Sequence, residues 1–208
     1  MAKKKESDQP YHHGRLREAL IEAGIAQREA GDNSRTLSLR GVAKRAKVSH
    51  AAPYRHFADK EALLSAIAES GFRQLAAAMQ TAVNQNPSDP RQQINDIGTQ
   101  YVAFATNHTA KTSLMISDLL LRKDNHEGWG DAAGGTFDIL KRAVRRGQQA
   151  GVIRAGDSDE IATSLWAIEH GLAMLAKEGL LTEDITGSTA NVIERAVEHL
   201  LRGLAMEE

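Results

Sequence analysis

Apolar residues recur along most of this chain at spacings of three and four, the period of helices that bury one face. Leu16, Leu20, Ala23, Ala26 and Ala30 form a first stripe, and Leu39, Val42, Ala43 and Ala46 a short second one. Leu64, Ala68, Gly71, Leu75, Met79 and Ala82 make a long third. Others follow through Ile94, Ile97, Tyr101, Phe104 and Ala105, then through Met115, Ile116, Leu119 and Leu120, and then through Phe137, Leu140 and Val144 up to Gly151. Two last stripes repeat by four and three: Ile161, Leu165, Ile168, Leu172 and Leu175, and Ile193, Val197, Leu200 and Leu204. Strand-like alternation is nearly absent, so the pattern predicts an all-α protein.

Polar residues punctuate these stripes. Ser38 stands directly before the second stripe, where its hydroxyl can accept a free amide of the first turn, and it opens a helix of about nine residues. Lys47 and Val48 break the pattern. Ser49 reads as a second N-cap, opening a helix through Phe57 in which Pro53 removes one intrahelical bond and distorts the turn. Asp59 caps the next helix. Helix, tight turn, short helix and capped third helix together predict a helix-turn-helix. Further on, residues 84–90 form a polar turn, with Asp89 and Pro90 as cap and first-turn proline of a new helix that starts beyond a long one ending near Gln85. Gly128, Gly130, Gly134 and Gly135 predict a break, and the helix of the Ile161 stripe is expected from about Ser158 to Lys177.

Charge changes the picture. The first sixty residues hold thirteen Lys and Arg against seven Asp and Glu, a balance of +6, so the remainder carries −7 beneath a whole-chain charge of −1. A basic first part built on a helix-turn-helix is the electrostatic footprint of a DNA reader. Residues 1–10 are polar and lysine-rich without periodicity, and read as a flexible basic arm. No apolar stretch follows those lysines and no run of about 18 apolar residues occurs, so neither a signal peptide nor a membrane span is expected, and a soluble cytoplasmic protein is. There is no cysteine. Thiolate nucleophiles and cysteine zinc sites are therefore excluded, and phosphate-binding glycine loops, HExxH and GxSxG motifs are missing, so an enzyme is not expected. His12 and His13 are adjacent and point about 100° apart on a helix, a poor chelate, and no metal or cofactor is expected.

Between Tyr11 and Phe72 the elements YHHGRLREAL, LSLRGVAKRAKVS, APYRHF and DKEALL closely resemble the TetR family of transcriptional regulators. The resemblance implies that the helix Ser49 to Phe57 enters the major groove, that Tyr54 and Lys60 anchor phosphates, and that Arg40 reaches a base edge. Side-chain chemistry agrees: an Arg can grip guanine bidentately, and a cation at a helix N-terminus joins amides that also favour phosphate. Ser38, Ser49, His50, Ala51, Ala52, Arg55 and His56 complete the candidate DNA surface, the alanines as readers of thymine methyl groups. Lys47 departs from the family, which usually has glycine in that turn. A non-glycine residue at positive φ costs roughly 1 kcal/mol there.

The expected organisation is an arm (1–10), a three-helix helix-turn-helix domain (11–60), a connecting helix (60–85), and a helical effector-binding and dimerisation domain (86–208). The last two stripes suit four-helix packing near 20°. Either they face the core of one subunit or, as the resemblance implies, Leu165, Ile168, Leu172, Ile193, Val197, Leu200 and Leu204 form a homodimer interface that lets two reading units span a palindrome. Candidate cavity residues in the acidic second domain are Tyr101, Phe104, Met115, Leu119, Trp129, Phe137, Trp166, His170 and Met174, although core packing is open for each. The run WAIEHG, Trp166 to Gly171, resembles the Trp/His/Gly signature of one class of TetR-family C-terminal domains. The leading functional expectation is a repressor released from a palindromic operator on double-stranded DNA by an unidentified small-molecule effector. The alternative is an activator or a ligand-independent regulator of the same fold.

Overall fold

The computed structural model describes residues 11–30, 36–116, 127–181 and 189–203. Among the described residues eight α-helices run in order: α1 (Tyr11–Glu29), α2 (Leu39–Arg45), α3 (Lys60–Gln85), α4 (Pro90–Asn107), α5 (Thr109–Met115), α6 (Glu127–Gln149), α7 (Ser158–Lys177) and α8 (Thr189–Gly203), with a 3-10 turn, Pro53–Arg55, between α2 and α3. They form two units, residues 1–68 and 69–208, which divide within α3.

In the first unit Leu20, Ile21, Leu37, Leu39, Val42, Phe57, Leu63, Leu64 and Ile67 are buried. Gly24 lets α1 approach α3: a Cβ there would meet Ile67 Cδ1 at 2.9 Å. The caps form as the sequence predicts. Ser38 Oγ accepts from Gly41 N at 3.1 Å, and Asp59 Oδ1 from Ala62 N at 2.7 Å.

Two expectations fail for local reasons. The helix expected from Ser49 to Phe57 is only the single 3-10 turn Pro53–Arg55. Pro53 has no N–H to reach back to Ser49, whose carbonyl instead accepts from Ala52 N at 2.9 Å. The three-residue spacing continues at Arg55 N to Ala52 O and His56 N to Pro53 O. The glycine-rich break does not occur either. α6 runs unbroken through Gly128, Gly130, Gly134 and Gly135, and Cβ atoms at the last three would meet nothing within 4 Å. Exposed glycines weaken a helix by about 1 kcal/mol each but do not end it. Gly151 does end it, with φ 71° and bonds from Gly151 N to Gln148 O and from Val152 N to Gly147 O.

The second unit is a helical bundle centred on α4, which packs most extensively against α7 and also meets α5, α6 and α8. Asp89 caps α4 through Gln92 N at 3.0 Å, and Pro90 is its first residue. α7 spans Ser158–Lys177 as the sequence predicts, and Asp157 caps it. Buried polar groups tie the bundle together. Arg146 Nε donates to Gln93 Oε1 (2.9 Å), whose Nε2 donates to Asn86 O (2.7 Å), and Thr136 Oγ1 donates to Phe72 O (3.2 Å). No described helix is long and apolar enough to cross a membrane.

Candidate nucleic-acid interface and cavity

In the first unit α2 closes with a helix C-cap built around a lysine. Lys47 takes φ 58°, Lys47 N donates to Lys44 O, and Val48 N donates to Ala43 O. This is the left-handed cap that glycine usually supplies. It turns the chain sharply from α2 into the segment 49–57. There Pro53 and Phe57 point inward, and His50, Ala51, Tyr54 and Arg55 point outward, Tyr54 being 54% exposed. Ser49 is exposed, and Ala52 and His56 are half-buried. Arg17 lies 5.6 Å from the centre of the Phe57 ring, and packs a cation over the anchor beneath this surface. Arg40 is exposed in the first turn of α2, and Lys60 opens α3. The candidate DNA residues thus share one unit, with Tyr54, Arg40 and His50 open to solvent.

The second unit holds a cavity of about 490 Å³, within the range of small-molecule pockets. Of the sequence candidates, Tyr101, Phe104, Met115, Phe137 and Trp166 line it. His170 and Met174 do not. His170 instead bonds a wall residue: its Nδ1 lies 3.0 Å from the Tyr101 hydroxyl, and its ring centroid is 5.9 Å from that of Trp166. Met174 is half-buried elsewhere on α7. Leu119 and the Trp129 side chain lie outside the described residues.

The sequence reading missed Phe72, Leu75 and Met79 from α3, Thr112 from α5, and Glu169 from α7, all of which line the cavity. Glu169 had a signal. It sits four residues after Leu165 and four before Ala173, so a charged residue occupies a position on the buried stripe. It is 1% exposed, and burial pushes its carboxyl up to about 8. Burial, opposed by the Trp166 indole and reinforced by Glu169, pushes the Tyr101 hydroxyl up to about 12, whereas burial lowers His170. A neutral imidazole can accept the phenol proton.

The interface candidates separate. Leu165, Ile193 and Val197 are at most 2% exposed within one chain, so they are core residues and cannot form a contact surface. Ile168, Leu172 and Leu200 are half-buried, Leu175 is 42% exposed, and Leu204 lies outside the described residues. The helical period explains the split: the inward face of α7 is Ile161, Ala162, Leu165, Glu169 and Ala173, displaced from the expected seam.

The family model for bacterial regulatory proteins of the tetR family matches residues 34–67, and that for the tetracyclin repressor-like C-terminal domain matches residues 94–200, just over half of the chain. The chain belongs to the TetR family. A solved structure of a protein of unknown function from Rhodococcus sp. RHA1 is 38% identical, with a TM-score of 0.82 over 96% of this chain and 100% of that one. A nucleoid occlusion factor, SlmA, from Marinobacter nauticus is 25% identical over 67% of this chain and 70% of its own length. The transcriptional regulator FadR from Bacillus subtilis, solved with stearoyl-CoA, shares the fold at 16% identity and a TM-score of 0.73, over 89% of this chain and 98% of that one. This TetR-family chain therefore has the fold of a DNA-binding transcriptional regulator rather than that of an enzyme.

Proposed function

We propose that the protein is a homodimeric repressor that binds a palindromic operator and is released when a small molecule occupies the cavity of its second unit. The observation that carries this reading is the cavity itself, about 490 Å³ and walled by aromatic residues in a chain poor in them. A bundle with no ligand to hold gains by closing such a space, because each unfilled volume forfeits packing contacts. Release follows if the occupied cavity favours a spacing of the two reading units that no longer matches both half-sites.

Phosphate anchoring is assigned to Tyr54 and Lys60 and base reading to Arg40, with Ser38, Ser49, His50, Ala51, Ala52, Arg55 and His56 as the surrounding surface. Exposure supports Arg40, His50, Ala51, Tyr54 and Arg55 most strongly. The dimer contact is assigned to the outer side of the last two helices, where Ile168, Leu172, Leu175 and Leu200 leave apolar surface uncovered.

The test is a competition. Protein bound to a selected operator duplex is titrated with a small-molecule panel, beside an Ala133→Trp variant whose indole fills the cavity from α6. Compounds that release the native protein but not the variant support the proposal. Release that ignores the variant, or a panel that binds in the cavity without releasing DNA, contradicts it.

A further inference from the structure

The second unit's cavity carries one group that an apolar pocket does not need. Glu169 is 1% exposed and lines the cavity, yet neither carboxyl oxygen has a hydrogen-bond partner. Burying such a group unpaired is costly, and a bland core position would hold leucine. The neighbouring helix makes room for it. At Gly98 of α4 a Cβ would lie 3.0 Å from Glu169 Oε1 and 3.3 Å from its Cγ, so any larger residue would press on the carboxyl. A second buried orphan belongs to another lining residue: Thr112 Oγ1 has no partner.

The rest of the wall decides what could satisfy the carboxyl. Phe72, Tyr101, Phe104, Phe137 and Trp166 supply aromatic surface, and no Lys, Arg or His occurs among the described lining residues. Among the described lining residues the ionisable groups are Glu169 and Tyr101, both acids. An anionic headgroup would meet no positive charge among them. A cation would meet a carboxylate and ring faces whose quadrupoles attract it. Phe137 already receives a cation from outside, with Lys141 Nζ 5.6 Å from its ring centre. Burial holds Glu169 near 8, so a bound cation would supply the countercharge that the empty site denies it.

We propose that the cavity binds a lipophilic organic cation, an alkylammonium or a quaternary ammonium compound, with Glu169 as its counter-ion and the aromatic wall around its charged head. This rests on the reading of the cavity as an effector site. Its recognition element is the acid on α7.

The experiment compares three probes of one chain length, decyltrimethylammonium, decanol and decanoate, below micellar concentration. Binding to the full chain and to Glu169→Gln is measured by calorimetry. The cation should bind more tightly than decanol or decanoate by about tenfold or more, and Glu169→Gln should remove that advantage while leaving decanol affinity unchanged. Retained decanol binding and a cooperative thermal transition show that the variant is folded. Thr112→Val, with Glu169 intact, should keep the preference for the cation.

Decanoate binding as tightly as the cation overturns the proposal, and so does a cation affinity that ignores Glu169→Gln. If decanol alone binds and releases operator DNA, the effector reading stands and the cation inference falls. If the cation binds through Glu169 but leaves operator affinity untouched, the inference stands and the release mechanism falls.

Discussion

The two units of this protein keep their chemistry in opposite places. The first wraps a small core around Leu20, Val42 and Phe57 and presents Arg40, His50, Tyr54 and Arg55 on its outside. The second buries polar groups, with Glu169, Thr112 and Tyr101 among the residues that line a cavity. A surface that reads DNA needs short, capped elements that hold exposed side chains at fixed angles, and those angles come from local backbone chemistry. A cavity arises from several helices that decline to close, so it depends on contacts distant in sequence.

The largest expected effect sharpens that contrast. Leu165 is fully buried. Leu165→Ala should cost about 2–5 kcal/mol of stability, as other buried leucines do when a cavity replaces them. Denaturant unfolding with solution mass measured in parallel would show it. Lowered stability with unchanged mass places Leu165 in the core, whereas loss of dimer mass without destabilisation would restore it to an interface. The complementary change, Leu175→Glu at a position 42% exposed, should lower the mass and leave subunit unfolding nearly unaltered.

Next in size is a pH effect from the second unit alone. The folded chain holds a proton on Glu169 up to about 8, whereas the unfolded chain releases it near 4.5. The folded state therefore binds more protons between those values, and its stability falls as pH rises through that window. Glu169→Gln should flatten this slope and stabilise the protein at pH 8–9 by a few kcal/mol, on the order of the linkage that so large a shift implies. Parallel pH profiles of unfolding for the two proteins would refute the burial assigned to this carboxyl.

The first unit's effects are smaller and appear in binding rather than folding. Tyr54→Phe and Lys60→Ala should each weaken operator and random DNA alike, and Arg40→Ala should also relax preference at one base, each by about 1–3 kcal/mol. Equal loss on operator and random duplex for Arg40→Ala removes it as a base reader. The smallest effect is at the turn: Lys47→Gly relieves a left-handed lysine and should stabilise the unit by up to about 1 kcal/mol, as read by thermal unfolding.

The same contrast explains what was legible in the sequence. Ser38, Asp59, Asp89 and Pro90 act within one helical turn, and each cap forms where the local pattern places it. Lys47 occupies its expected left-handed position. The 3-10 turn at Pro53 shows the limit of that reading, since the proline withholds the first bond of the expected helix, to Ser49 O, and the segment takes three-residue spacing instead. In the second unit five aromatic and methionine candidates line the cavity, but Phe72, Met79 and Thr112 could be placed only by the packing of α3 and α5. Leu165, Ile193 and Val197 share a helical period with their partly exposed neighbours. Period alone does not separate a stripe facing its own core from one facing a second subunit.

Whether the protein is a dimeric reader of DNA sequence is decided by selection of bound sequences from random duplex DNA, followed by affinity of the winner against salt concentration. A palindromic winner is expected, held far more tightly than random duplex, with a salt slope of about −0.9 for each phosphate engaged and an affinity lowered by occupants of the cavity. Uniformly weak binding without a symmetric winner would contradict a dimeric, sequence-reading regulator.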